Sequence, residues 1–456
     1  MKLRRITVCI LILSAFSLIS GFATTAENST EVVPINWQSL SARDLTPNEH
    51  LDAAKDILIE SARYNLNWIK RTFKDGDPEW NLYVINGKNE KNIRPPASAA
   101  YALAVVLKTG LYDEATFGMP EAEAFQAINK LIRGLAKTHG ANTYDNSAWG
   151  DQWQSALWAS LFCHAAWIIW DDITDETRRM IRQVIEDEAN RFIWEGYKAP
   201  YWNGKGGDSK AEENAWNAAA IQIAIAMMPN HPNCLKWKEI CSELMVSSFS
   251  LKTDMTDSES ILDGKAVSEW LNGYNLHDEG YVINHKLIHT DYMVTIKHCM
   301  RAFITQSLAG ETVPEAADFN FDVIYNTMTQ KQFASPPYEE PGGTMYVENS
   351  ADVYYPTGTD WSNHRFDIYY LMDAYAHTLG FDEDYPFKAA DWMRLRADKI
   401  QSMQKRFTDG STYAKGEYDT YAGREQILGW QFADAYLLLW LDAHGTLKKQ
   451  GNWLAE

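Results

Sequence analysis

The sequence predicts an all-α protein, a single (α/α)6 or (α/α)7 ring of helical hairpins. Three observations predict it. From residue 47 onward apolar residues recur at helical spacing over stretches long enough for helices, while strand signals are few and short. The helical stretches alternate between two kinds: some are apolar nearly all round and belong inside, others carry one apolar stripe and belong outside. No Pro/Gly/Ser-rich linker cuts the chain and no short repeat runs through it, which favours one ring over two domains or a solenoid.

The elements follow in order. Residues 1–26 read as a secretory signal. Lys2, Arg4 and Arg5 make a basic start, 6–22 is an apolar run short for a membrane span, and Ala23-Thr24-Thr25-Ala26 offers a cleavage site. Cys9 is not followed by the polar spacer of a lipid-anchored start. The expectation is therefore a soluble monomer exported across the inner membrane to the periplasm, with no membrane anchor. Residues 27–46 are a polar leader, and 47–456 form the expected catalytic ring. Residues 47–73 read as a long helix. Arg94-Pro95-Pro96 should stop any helix before 97–108, because proline lacks the N–H a helix interior needs. Residues 121–138 are amphipathic. Residues 151–170 are apolar nearly all round and carry Trp153, Trp158, Trp167 and Trp170. In 175–194, Thr174 suits an N-cap, and Ile181, Val184, Ile185, Ala189 and Phe192 form one stripe. Inner-type 210–228 and outer-type 235–251 come next. Further helices are expected at 287–308, 318–332, 364–379, 385–406 and 424–444.

Composition narrows the function. The formal charge of the 456 residues is −19, and −22 without the three cations of the basic start, which argues against nucleic acid or an anionic membrane as partner. An anionic substrate would then need a locally basic cleft. Eighteen Trp and twenty-three Tyr suit a cleft that stacks on sugar rings, and equally a large helical core. Cys163, Cys234, Cys241 and Cys299 show no CxxC spacing and read as buried thiols, although export would permit a Cys234–Cys241 bridge.

Three stretches hold unusual polar density. The first is 197–217, where Lys205 and Lys210 sit among glycines, and Asn214, Trp216 and Asn217 open an otherwise apolar helix. An amide there must find partners, either as a cap or aimed at a substrate carboxylate. The second is 275–292, NLHDEGYVINHKLIHTDY, with His277, His285, His289, Tyr281 and Tyr292. His285 and His289 are four apart and Tyr292 three further, which would place them on one helix face if the helix starts early. HxxxH without the metalloprotease glutamate is a weak zinc signal, so no metal and no cofactor is expected. General acid–base work explains a neutral His beside a Tyr better. The third is 336–365, a long Gly-, Pro- and aromatic-rich loop with Tyr354, Tyr355, Trp361 and His364, ending at Arg365. The tyrosines and Trp361 could line a sugar cleft, and Arg365 could grip a carboxylate. Caps, ordinary loops and structural ion pairs would account for the same residues.

An Asn on an inner helix, then Asp278-Glu279-Gly280-Tyr281, Asn284-His285 and Tyr292, resembles the (α/α)-toroid polysaccharide lyases. The single-domain length is most similar to glucuronan and alginate lyases of the polysaccharide lyase family 38 type. Departures are Glu279 in place of a small residue, a slightly different His-to-Tyr spacing, and two asparagines for one role. The resemblance implies metal-independent β-elimination on an anionic uronate polymer. Asn214 or Asn217, with Arg365, would neutralise the carboxylate; His285 or Tyr292 would take the C5 proton; Tyr292, Tyr354 or Tyr355 would protonate the leaving oxygen. Trp216, His289, His277, Lys205, Tyr354, Tyr355, Trp361 and His364 would contact substrate. The main alternative is a glycoside hydrolase on the same ring, for example one removing unsaturated uronyl units. It would use two carboxylates from among Asp208, Glu212, Asp278, Glu279 and Asp360. A non-catalytic glycan binder is the third.

Overall fold

Seven helices of at least fourteen residues carry the first half of the chain: α1 Glu49–Thr72, α2 Glu90–Lys108, α3 Glu121–Lys137, α4 Ser155–Ile168, α5 Asp175–Asn190, α6 Ala211–Met227 and α7 Cys234–Ser248. A two-residue-per-strand hairpin follows, β1 Ile283–Asn284 and β2 Leu287–Ile288. Then come α8 Thr290–Met293, α9 Lys297–Met300, α10 Ala302–Ala309, α11 Phe321–Thr329, α12 Phe366–Leu379, α13 Ala389–Gln404 and α14 Arg424–Ala443. The computed structural model describes residues 30–43, 45, 48–144, 148–361, 365–414, 416–417 and 424–455. The expected signal segment and His364 lie outside the described residues.

The two kinds of helix sort as their patterns require. Every residue of α4 is buried, as is α14 from Arg424 to Leu441. In α5 the buried set is a stripe that includes Met180, Ile181, Val184, Ile185 and Ala189, and Thr174 caps it by accepting from the Thr177 N–H. The fully apolar helices pack in succession. α2 lies on α4, α4 on α6, α6 on α9 and α10, α10 on α14, and α14 returns to α2 and also meets α12. The striped helices cover them from outside, with α1 on α2 and α14, α5 on α4 and α6, α7 on α6, and α13 on α12. The result is one mostly helical domain. Buried Arg301, between α9 and α10, joins three inner helices: its Nε lies 3.1 Å from Asp434 on α14, and Nη2 lies 3.1 Å from His164 on α4, while Tyr101 of α2 donates to Asp434 at 2.7 Å.

Three expectations need correction. Pro95 and Pro96 do not stop a helix; they lie inside α2, which starts at Glu90. They deprive the Lys91 and Asn92 carbonyls of their donors, but proline's fixed φ is helical and the flanking turns carry the helix through. This keeps Arg94 on the helix, held by Glu90 at 2.6 Å. The helix expected from residue 287 begins at Thr290, because 283–288 turn back as a hairpin. The expected 151–170 helix starts at Ser155, leaving Trp153 60% exposed on the preceding loop. The four cysteines are buried free thiols, without a Cys234–Cys241 bridge. Among the described residues no helix is long and apolar enough to cross a membrane.

Candidate functional site

The hairpin turn is made by His285 and Lys286, both at positive φ, 51° and 66°. Two such residues give the twist a two-residue hairpin needs, usually supplied by Asn-Gly. Neither residue here is glycine, so the tip carries strain and the surroundings must impose it. They do: the His285 N–H donates to Asp208 at 2.7 Å, Lys286 N–H to the Gly207 carbonyl at 2.9 Å, and Ile288 N–H to Thr357 Oγ1 at 2.9 Å. A Cβ at Gly207 would stand 2.5 Å from Lys286 Cγ, so only glycine lets the two loops approach. All three polar stretches of the sequence meet here.

His285 and His289 do not share a helix face. The hairpin instead brings both to Asp360: His285 Nδ1 is 2.8 Å from one carboxylate oxygen, and His289 Nε2 is 3.2 Å from the other. Burial raises the Asp360 pKa, but the two imidazoles outweigh it and hold the group below its ordinary value. His289 is buried, which pushes its pKa down and keeps it neutral. A carboxylate only accepts, so His285 carries its proton on Nδ1 and turns the Nε2 lone pair toward Tyr292, whose hydroxyl is 3.4 Å away. The donor atoms of His285, His289 and Asp360 lie within 4.8 Å of one another, close enough to hold a metal ion.

The Tyr292 hydroxyl also hydrogen-bonds Glu212, in the first turn of α6. Burial drives the Glu212 carboxyl up to about 7, against the pull of Arg94 and Lys297. Burial likewise brings Lys297 down to about 7. Both line a cavity of about 40 Å³ together with Arg94, Asp291, Arg365 and Arg424. That space holds a carboxylate group or two or three waters, at roughly 15 Å³ each. Three arginines and Lys297 stand against Asp291 and Glu212 in its lining, an excess of cations that suits an anion. The Arg365 guanidinium lies 4.0 Å over the Trp361 ring and 3.9 Å from Asp291. Trp361 also borders an open cleft of about 720 Å³, lined among others by Glu339, Glu340 and Glu348.

The remaining sequence candidates divide. Tyr355 borders the cleft, but its hydroxyl donates to buried Asp291, and burial pushes its pKa far up. Tyr354 lines the cleft with its hydroxyl on the Glu339 carbonyl. Asn214 is fully buried, and its amide donates to the Pro200 carbonyl at 3.0 Å, which ties down the loop before α6. Asn217 is half-buried, and no hydrogen bond among the described residues occupies its side chain. Trp216 is buried with exposed Trp153 against it at 4.8 Å. Lys205 is exposed on the loop. His277 stacks on Tyr281 at 4.4 Å and accepts from the Glu279 N–H, which gives it a turn-forming position. Arg94, Asp291, Lys297 and Arg424 escaped the sequence reading. A charged residue inside an apolar run, as Lys297 is, was the available signal. Comparison with protein-family models gave no match, and a search of curated proteins gave none.

Proposed function

We propose that the protein is a polysaccharide lyase that cleaves a uronate-containing glycan of glucuronan or alginate type by β-elimination. We read its fold as a closed (α/α)6 ring with inner helices α2, α4, α6, α9–α10, α12 and α14. One observation carries the functional reading: the Tyr292 hydroxyl stands between a base-competent imidazole and a protonatable carboxyl, beside a small cationic cavity. The substrate carboxylate enters that cavity. Arg365, with Arg94, Lys297 and Arg424 around it, offsets the charge that builds on the carboxylate oxygens as the C5 proton leaves. His285 Nε2 takes that proton, the C4–O4 bond breaks as the C4=C5 bond forms, and Tyr292 gives its phenolic proton to O4. The proton on His285 then returns to Tyr292 across their direct contact, so the step consumes no water. Asp360 holds His285 in the tautomer that this requires. Tyr292 is favoured over Tyr354 and Tyr355 as the acid, because those two hydroxyls are committed to Glu339 and Asp291. Asn217, with its amide uncommitted, is favoured over Asn214 as the assisting amide.

A second reading has its own support. The environments of Glu212 and Asp360 push their pKa values apart, one carboxyl up to about 7 and the other below its ordinary value. That is how an acid and a base for glycoside hydrolysis are told apart. Incubating the protein with polyglucuronate and polymannuronate under ultraviolet detection separates the two. Elimination creates a conjugated C4=C5 chromophore, and new reducing ends without that absorbance would replace the lyase with the hydrolase.

A further inference from the structure

We propose that His285, His289 and Asp360 form a transition-metal site of the zinc type, and that filling it switches the candidate centre off. Two imidazoles and a carboxylate are a donor set that zinc accepts in open sites, where a fourth position is left to water. Ligands about 2.0–2.2 Å from one zinc ion stand roughly 3.3 Å from each other in a tetrahedron. Here the imidazole nitrogens are already 2.8 and 3.2 Å from the carboxylate oxygens, and all three donors fall within 4.8 Å. Closing the widest donor separation from 4.8 Å to that spacing takes about 1.5 Å, shared between the side chains, and one ion then replaces the two hydrogen bonds. Among the described residues no other group of three such donors comes this close.

Access and rigidity are both provided. The Asp360 and His285 side chains are 48% and 36% exposed, while His289 is 1% exposed and wedged between Tyr292 and Trp361, each ring at 4.6 Å. An ion therefore reaches the site from solvent and finds its deepest ligand already fixed.

The consequence follows from the tautomer. With no metal bound, His285 keeps its proton on Nδ1 and offers the Nε2 lone pair to Tyr292. A metal ion takes Nδ1 through that atom's lone pair. The ring proton then sits on Nε2, and the atom that accepted a proton becomes a donor. The metal site rests on geometry alone; the loss of activity rests on the proposed elimination.

Isothermal titration of the full chain with zinc chloride, after dialysis against a chelator, tests the site. One ion per chain is expected, with binding in Asp360→Asn and His289→Ala weakened by more than the ~10–100-fold that loss of an outer-shell partner costs. Circular dichroism melts establish that both variants are folded, and cobalt(II) absorption reports the ligand set independently of activity. Absence of stoichiometric binding, or equal binding by Asp360→Asn, overturns the site. In the activity arm, equimolar zinc should suppress ultraviolet-detected turnover and a chelator restore it. Full turnover by the zinc-loaded protein, or a zinc requirement, overturns the switch. Zinc binding by a protein with no turnover on any uronate polymer keeps the site and removes the lyase reading.

Discussion

Tyr292→Phe isolates the chemistry from the packing. The ring is buried and faces Trp361 at 4.9 Å and His289 at 4.6 Å, so phenylalanine keeps those contacts. What disappears is one hydroxyl and its bonds to His285 and Glu212. The His285 contact is long at 3.4 Å, so the stability loss should be that of about one ordinary hydrogen bond, ~0.5–1.5 kcal/mol. The rate loss should be far larger. Removing a positioned proton donor costs roughly 10²–10⁴ in turnover, or ~2.7–5.5 kcal/mol at 1.36 kcal/mol per tenfold. Urea unfolding measures the first quantity, and initial rates of ultraviolet absorbance on polyglucuronate the second. The expected pattern is a small shift in midpoint, a collapse of kcat and a nearly unchanged KM. A variant that retains most of the wild-type rate refutes the assignment and moves the acid role to Tyr354 or Tyr355. A KM rise without a kcat loss reduces Tyr292 to a binding group.

Other substitutions probe the neighbouring groups. Glu212→Gln retains an oxygen to accept from Tyr292, so elimination should fall less than about tenfold; a loss of ~10²–10⁴ would move the acid role from Tyr292 to Glu212. Asn214→Ala should destabilise the fold by ~0.5–1.5 kcal/mol, the worth of one hydrogen bond, since the Pro200 carbonyl still accepts from Asn275 at 3.3 Å, whereas Asn217→Ala should leave the melt unchanged and lower kcat; melts and rates on the same two variants decide this. Glu425 is buried at the start of α14, where its carboxyl accepts from the Thr412 and Tyr413 N–H groups, and burial raises it from 4.5 to about 7. The folded form holds that proton more tightly. Its stability contribution is therefore complete below about pH 4.5 and lost as pH climbs through about 7, and Glu425→Gln should flatten the melt-versus-pH curve over that window. Added salt should lower the KM for polyglucuronate at constant kcat, since it screens the acidic exterior at a Debye length of ~10 Å near 0.1 M; a rising KM would contradict this.

The helices were legible because their burial is periodic. The α5 stripe and its Thr174 cap were read residue by residue, and the alternation of striped with fully apolar segments foretold which helices lie inside. The hairpin was not legible. Its turn residues, His285 and Lys286, are not the Asn-Gly pair such a turn usually takes, and bonds to Asp208 and Gly207, nearly eighty residues earlier, and to Thr357 and Asp360, some seventy later, hold the turn there. The same limit hid Arg94 behind two prolines and Lys297 inside an apolar run, since each matters through partners distant in sequence. The stretch 275–292 does bring His285 and Tyr292 together, although by a hairpin instead of a helical face.

On the proposed function, a protein of net charge −19 that works on a polyanion has to concentrate cations where the acidic exterior cannot reach them. The cavity beside Tyr292 does this with side chains from four inner elements: Arg94 of α2, Lys297 of α9, Arg424 of α14 and Arg365 just before α12. Each acid nearby limits that field. Asp367 pairs with Arg424 at 2.5 Å, and Asp291 accepts from Tyr355 and Tyr369 while facing Arg365. The buried charges thus hold one another in place, which is the condition for an electrostatic site that needs no reorganisation when charge develops on a substrate. In contrast, Glu339, Glu340 and Glu348 rim the wider cleft in solvent, where their repulsion is weak and screened. On the proposed function, one carboxylate bound in the small cavity sets the register of a sugar chain lying along Trp361, and the screened acidic rim adds little to that choice.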